Sequence, residues 1–162
     1  MDISSEPVTT REELSENAYV SWHRLVEPRL RAALVAEFGA DLGRDATSEA
    51  LSYVWENRLR VLGLDNSAGY AFRVGQRWAR RQRTYSRRAF LVDAKAPTTS
   101  GFEPELHSAL AALSTRQRQV VVLCAGYGLT HAEVAALLGI SRSSVQNHVE
   151  RGLRHLRTEI RP

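Results

Sequence analysis

The sequence predicts an all-α chain of two small helical domains joined by a flexible linker, and three observations carry that expectation. Apolar residues recur three and four apart along most of the chain, whereas no stretch alternates with the period of two that a half-buried strand requires. No βαβ pattern and no internal repeat is present. The length, 162 residues, accommodates either one domain or two small ones, and Ala96-Pro97-Thr98-Thr99-Ser100-Gly101 has the composition of a linker between two. The expected division is a disordered tail at 1–10, a helical domain at 11–92, a linker at 93–103 and a second helical domain at 104–162.

Residues 1–10 are acidic and polar, where a signal peptide would be basic and then apolar. Tyr19, Trp22, Leu25 and Val26 then recur at helical spacing. Pro28 suits the start of a second helical run through Leu30, Ala33, Leu34 and Phe38, with Gly39 as its stop. A third helix from Asp45 to Arg58 places Ala50, Leu51, Val54 and Trp55 on one inward face. Gly63-Leu64-Asp65-Asn66-Ser67 reads as a loop, and a fourth helix from Ala68 to Phe90 carries Tyr70, Phe72, Val74 and Trp78 before an arginine-dense half.

In the second domain, Leu106, Leu110 and Leu113 mark a helix. Ser114 with Gln117 is a capping-box signature for the next, which runs through Cys124 to Gly126-Tyr127-Gly128. Thr130 with Glu133 repeats that signature before Val134, Ala135, Leu137 and Leu138. Gly139-Ile140-Ser141 makes a tight turn, and Ser141 can cap a last helix buried along Val145, Val149, Leu153 and Leu156.

Composition excludes several classes of function. Hydrophobic residues at 43% and charged residues at 25% are ordinary for a soluble globular protein. No run approaches the roughly 18 apolar residues of a spanning helix, so no membrane association and a cytoplasmic location are expected. The single cysteine, Cys124, cannot form an intramolecular disulfide and reads as a small core side chain. The five histidines lack zinc-site spacing, and neither metal nor cofactor is expected. The acids do not converge with a nucleophile, a base or a metal site, which argues against an enzyme and against a small-molecule substrate.

The net charge of +4 is unevenly spread. Residues 1–57 hold 5 Arg against 11 Asp and Glu, residues 58–102 hold 10 Lys and Arg against 2 Asp, and residues 103–162 hold 7 Arg against 5 Glu. A polyanion is therefore expected on the middle segment and a different partner on the acidic one.

Two segments carry the chemistry. Between His131 and Val149 a small residue, Ala135, a turn glycine, Gly139, and the apolar set Val134, Leu138, Ile140, Val145 and Val149 fit a helix-turn-helix. The first turns of its second helix carry Arg142, Ser143, Ser144, Gln146 and Asn147, with Arg151 beyond. Arg can address guanine edges, and Gln and Asn can address adenine. Between Arg73 and Arg88 lie seven arginines, Arg73, Arg77, Arg80, Arg81, Arg83, Arg87 and Arg88, with no acid. Trp78 and Tyr85 are interleaved with them, a combination suited to holding phosphates while stacking on the bases of separated strands.

The stretch from Leu110 through Cys124 and on to Gly139-Ile140-Ser141-Arg142 and Arg157 resembles sigma-factor region 4. Pro28-Arg29-Leu30, then Asp45, Glu49 and Trp55, then Tyr70-Ala71-Phe72-Arg73-Val74 resemble region 2, and the linker falls where the small extracytoplasmic-function (ECF) sigma factors lack an intervening domain. Ser48 stands where region 2 usually has Gln, Arg77 where an Asn is common and Arg81 where an Asp is common.

The resemblance implies a non-enzymatic subunit that binds core RNA polymerase at its clamp helices and flap. It implies recognition of promoter DNA at the −35 and −10 elements and support of promoter opening. The same resemblance assigns Asp45 and Glu49 to polymerase, and Arg142, Ser143, Ser144, Gln146, Asn147 and Arg151 to the −35 element. Arg73, Arg77, Trp78, Arg80, Arg81, Arg83 and Arg87 fall to the −10 element and phosphates, and an anti-sigma factor would be a further partner. The alternative is a stand-alone helix-turn-helix regulator of the quorum-response type, which Leu113 to Val120 also resembles, although no sensing domain with parallel strands is visible. A third reading is a sigma-like decoy that binds polymerase without opening DNA.

Overall fold

The computed structural model describes residues 11–89 and 104–159, and among these every regular element is a helix. The tail at 1–10 and the linker at 93–103 lie outside the described residues. The order is α1 (Arg11–Phe38), α2 (Ala40–Glu56), α3 (Arg58–Val61), α4 (Ser67–Ala89), α5 (Pro104–Ala112), α6 (Thr115–Val121), a π-helical turn (Val122–Gly126), α7 (His131–Leu138) and α8 (Arg142–Glu159). An all-α chain with two helical parts is what the sequence led us to expect.

Pro28 does not open a second helix, as its placement suggested: α1 is one helix of 28 residues with Pro28 inside it. Proline removes a ladder hydrogen bond and costs about 3 kcal/mol in a helix interior. That cost is offset because Tyr19, Trp22 and Val26 before it and Leu30, Ala33 and Leu34 after it pack on the same core.

The chain reverses at Gly39, whose φ of 90° is one a side chain rarely adopts. Its N–H donates to the Val35 carbonyl at 2.8 Å. On α2, Ala46, Thr47, Ala50 and Val54 are buried. Gly43 lets α2 lie against the α1 backbone, since an added Cβ would stand 2.5 Å from Val35 Cα. Gly43→Ala is therefore expected to overpack this crossing and cost about 1–3 kcal/mol. Thermal unfolding followed by circular dichroism should show a melting temperature lower by roughly 2–10 °C.

Trp55 departs from expectation. It was expected to face inward, but it is 39% exposed, with Tyr19 edge-on at 5.0 Å and the Arg58 guanidinium 4.3 Å from its ring. The buried stripe runs through Ala46, Ala50 and Val54 at intervals of four, and the next residue on the helix falls at its margin.

In the second half both capping boxes form: the Ser114 hydroxyl with Gln117, and the Thr130 hydroxyl with Glu133. The helix expected through Cys124 does extend to Gly126, but its last five residues are π-wound. Leu123 is buried there. Cys124 is half-buried, and burial pushes its thiol pKa up.

The two helical parts share a core. Leu30, Ala33, Leu34 and Phe72 from the first cluster with Val120, Leu123, Leu129, Val134, Leu138 and Val145 from the second. A smaller cluster of Ala109, Leu113, Val121 and Leu156 completes the second part.

Candidate nucleic-acid interface

The helix-turn-helix is assembled by local chemistry. The Thr130 hydroxyl accepts from the Glu133 N–H at 3.3 Å, and the Glu133 carboxylate accepts from the Thr130 N–H at 2.8 Å. The Thr130 N–H and hydroxyl, with Arg29 adding to them, hold the Glu133 carboxyl below its ordinary pKa. At the other end of α7, Gly139 sits in the left-handed region at φ 68°, and the N–H groups of Gly139 and Ile140 both donate to the Ala135 carbonyl. Ser141 then caps α8, its hydroxyl accepting from the Ser144 N–H at 3.1 Å.

That capping fixes which side chains the second helix offers. Val145 is fully buried against α7, which turns Arg142, Ser143, Gln146, Asn147 and Arg151 outward, all exposed. Ser144 is half-buried, and the hydroxyls of Ser143 and Ser144 lie 3.0 and 2.8 Å from that of Ser141. Gln146 donates to Glu150 at 3.0 Å. His148, on the flank, is held below its ordinary pKa by burial first and then by Arg116 and Arg151, which favours the neutral ring.

The basic helix α4 begins at the expected loop and is capped by Asn66, whose side-chain oxygen accepts from the Gly69 N–H at 2.9 Å. Its start is tied to α1 by Trp22, whose indole N–H donates to the Ser67 hydroxyl at 2.9 Å. Arg73, Arg77, Arg80, Arg81 and Arg83 are exposed. The Arg87 side chain lies outside the described residues. Trp78 is half-buried and packs on the shared core, so only part of its indole is open to a base. Arg80 pairs with Glu37 at 3.3 Å, and the Arg83 guanidinium lies 5.9 Å from the Phe38 ring.

Beside this helix stands a cluster that sequence reasoning did not assemble. The hydroxyls of Tyr53 and Tyr70 are 3.3 Å apart, and Arg60 donates to both, at 2.9 and 3.3 Å. The Tyr53 hydroxyl first, and then the Arg60 guanidinium, hold the Tyr70 phenol below its ordinary pKa. The residues are 17, 10 and 7 apart in sequence, so no local spacing could have announced them.

Asp45 and Glu49 lie one turn apart on α2, both exposed, and neither makes an ion pair among the described residues. The candidate residues thus fall on three helices rather than in one pocket: acids on α2, arginines on α4 and the exposed polar side chains of α8. No group of three or more His, Cys, Asp or Glu among the described residues could hold a metal ion.

Residues 104–156 match the family described as Sigma-70, region 4. The sigma factor RpoE from Bartonella quintana, solved in complex with the anti-sigma factor NepR, is 21% identical. The match covers 88% of this chain and 96% of that one, with a TM-score of 0.61. CnrH, solved in complex with the cytosolic domain of CnrY, is 20% identical over 90% of this chain and 93% of that one, with a TM-score of 0.53. These two likenesses are likenesses of fold.

Proposed function

We infer that this chain, whose residues 104–156 match Sigma-70 region 4 and whose fold is like that of two solved proteins over most of its length, is an ECF sigma factor that directs core RNA polymerase to promoters. The observation that carries the reading is the capped helix-turn-helix within residues 104–156, which presents Arg142, Gln146 and Asn147 to solvent together. The same fold continues through the acidic and basic helices of the first part.

In this reading residues 11–92 act as region 2, 93–103 as the linker and 104–162 as region 4. Asp45 and Glu49 dock on the polymerase clamp helices, and region 4 also meets the flap. Arg142, Ser143, Ser144, Gln146, Asn147 and Arg151 address the −35 element. Arg73, Arg77, Arg80, Arg81, Arg83 and Arg87 hold phosphates of the −10 segment while Trp78 and the Gly63 to Ser67 loop approach its bases, which supports opening of the duplex. The role is a binding one, carried out in the cytoplasm without cofactor or small-molecule substrate. Because RpoE was solved with an anti-sigma factor, a protein of that kind is the expected regulator here as well.

The test is co-purification with core polymerase followed by run-off transcription on genomic fragments. Discrete transcripts that require the chain are expected. Stable association without transcripts would replace the reading with that of a decoy, and DNA binding with no affinity for core would favour the stand-alone regulator.

A further inference from the structure

The joint between the two helical parts is built from polar groups that converge on one carboxylate. Glu37, near the C-terminal end of α1, accepts from Gln76 Nε2 at 3.0 and 2.9 Å, from Arg80 Nη2 at 3.3 Å and from Gln119 Nε2 at 3.0 Å. Its side chain is only 11% exposed. Gln119 comes from the other part of the molecule and is 1% exposed. Its amide nitrogen also donates to the Ala33 carbonyl at 3.1 Å, and its oxygen accepts from Arg116 at 3.0 Å, so every strong bond of this buried amide depends on the closed joint or its own helix.

Neighbouring contacts close the same joint. The last turn of α1 holds no basic residue, and the cation that meets its free carbonyls comes across the joint: Arg118 Nε donates to the Ala36 carbonyl at 2.9 Å. At the far side Asn66 donates to the Ala136 carbonyl at 2.8 Å, and an added Cβ on Gly69 would stand 2.7 Å from that oxygen. Arg29 pairs with Glu133 at 3.2 Å.

This closed form cannot span a promoter. With α7 on the first turn of α4 and α8 against α7, the recognition helix lies within roughly 40 Å of Arg83, counting two helix-packing distances and the rise along α4. Elements named for positions about 25 base pairs apart are separated by roughly 85 Å of duplex.

We propose that Glu37 is an internal competitor for the phosphate that Arg80 would hold, and that it latches the two parts together until a nucleic-acid strand takes Arg80 from it. A phosphate on Arg80 withdraws the one cation that faces the Glu37 carboxylate among the described residues. The carboxylate is then left at the joint with only amide donors, an unpaired and nearly buried charge that the closed joint keeps from water and that separation of the parts hydrates. Strand binding and separation of the parts therefore favour each other. That a strand reaches Arg80 rests on the sigma-factor reading, which the run-off assay tests separately with core polymerase.

The experiment uses the full chain without polymerase. Solution scattering measures its dimensions, and a labelled oligo(dT) measures strand affinity independently of promoter sequence. Glu37→Gln is expected to increase the radius of gyration and to tighten oligo(dT) binding about twofold to fivefold, the range of a partly exposed ion pair. The tightening should vanish in Glu37→Gln with Arg80→Ala, a loss that a purely structural role for Glu37 would not produce. Gln119→Glu sets a second carboxylate against Glu37 and should also expand the chain. Because separation and strand binding favour each other, it should tighten oligo(dT) binding too, but by less than Glu37→Gln, since Arg80 keeps its carboxylate partner.

Unchanged dimensions in both variants would overturn the latch. Unchanged affinity in Glu37→Gln, or a gain that survives loss of Arg80, would overturn the competition. Should Glu37→Gln lose helix content, Gln119→Glu tests opening from the other side, and absence of expansion there overturns the latch equally. Expansion with transcripts absent in the run-off assay would leave the latch standing and remove the sigma-factor reading.

Discussion

Reversing both acids of α2, Asp45→Arg together with Glu49→Arg, is expected to abolish assembly with core polymerase while leaving the fold intact. The two carboxylates are exposed, one turn apart, and neither makes an ion pair among the described residues. Surface substitutions of that kind usually move stability by about 0.5 kcal/mol or less. At an interface the balance differs. Placing like charges opposite each other costs several kcal/mol, so two reversals should weaken the complex on the order of 100-fold or more. Gel filtration of the mixed subunits, with a melting curve of the variant alone, separates the two effects. Arg44→Ala, which breaks only the exposed Arg44–Asp41 pair at 2.9 Å, should assemble nearly normally. If the double reversal also assembles normally, polymerase docks elsewhere.

Alanine at Arg142, Gln146 or Asn147 is expected to relax promoter preference at individual −35 base pairs, by about 1–3 kcal/mol each, or roughly 5-fold to 150-fold in relative affinity. Contacts to base edges discriminate among sequences, whereas contacts to phosphates supply affinity that is blind to sequence and falls with salt. Arg142 should show the larger effect. Gln146 must first give up its 3.0 Å bond to Glu150, which offsets part of what it gains from a base. Arg73 and Arg83, exposed on α4, should behave in the other way when changed to Ala. Binding should weaken evenly across promoter variants, and the salt slope should flatten by about one unit. Holoenzyme affinities on single-base variants at several salt concentrations provide the comparison. A uniform loss for the α8 variants would remove them from base reading.

Much of the fold and of the helix-turn-helix was legible because it is encoded by neighbours in sequence. A capping box joins residues three apart, as Ser114 with Gln117 and Thr130 with Glu133, and a turn glycine such as Gly139 answers a requirement of its own backbone. Once those are placed, the period of 3.6 puts Val145 inward and Arg142, Gln146 and Asn147 outward without further information. The charge asymmetry that separates α4 from α1 and α2 was equally visible, since it is a property of composition.

Other features were decided only by packing across long separations. Pro28 carries a local signal for a helix start, and it was overridden because apolar residues on both sides of it share one core. Trp55 looked buried on a helical wheel, yet the width of the buried face is set by what packs on it, and α2 offers Ala46, Ala50 and Val54 to α1 and α4 instead. Gln119 and Glu37 stand 82 residues apart, and a glutamine and a glutamate in surface-like surroundings advertise no partner. Hydrogen-bonding side chains can be satisfied by water or by one another, so only the meeting of α1, α4 and α6 in space determined that these two would be buried together. The sequence by itself determined the all-helical class, the two capping boxes and which side chains of α8 face outward; the tertiary structure decided that the two parts close on each other, because a joint made of long-range polar contacts leaves no period in the chain to read.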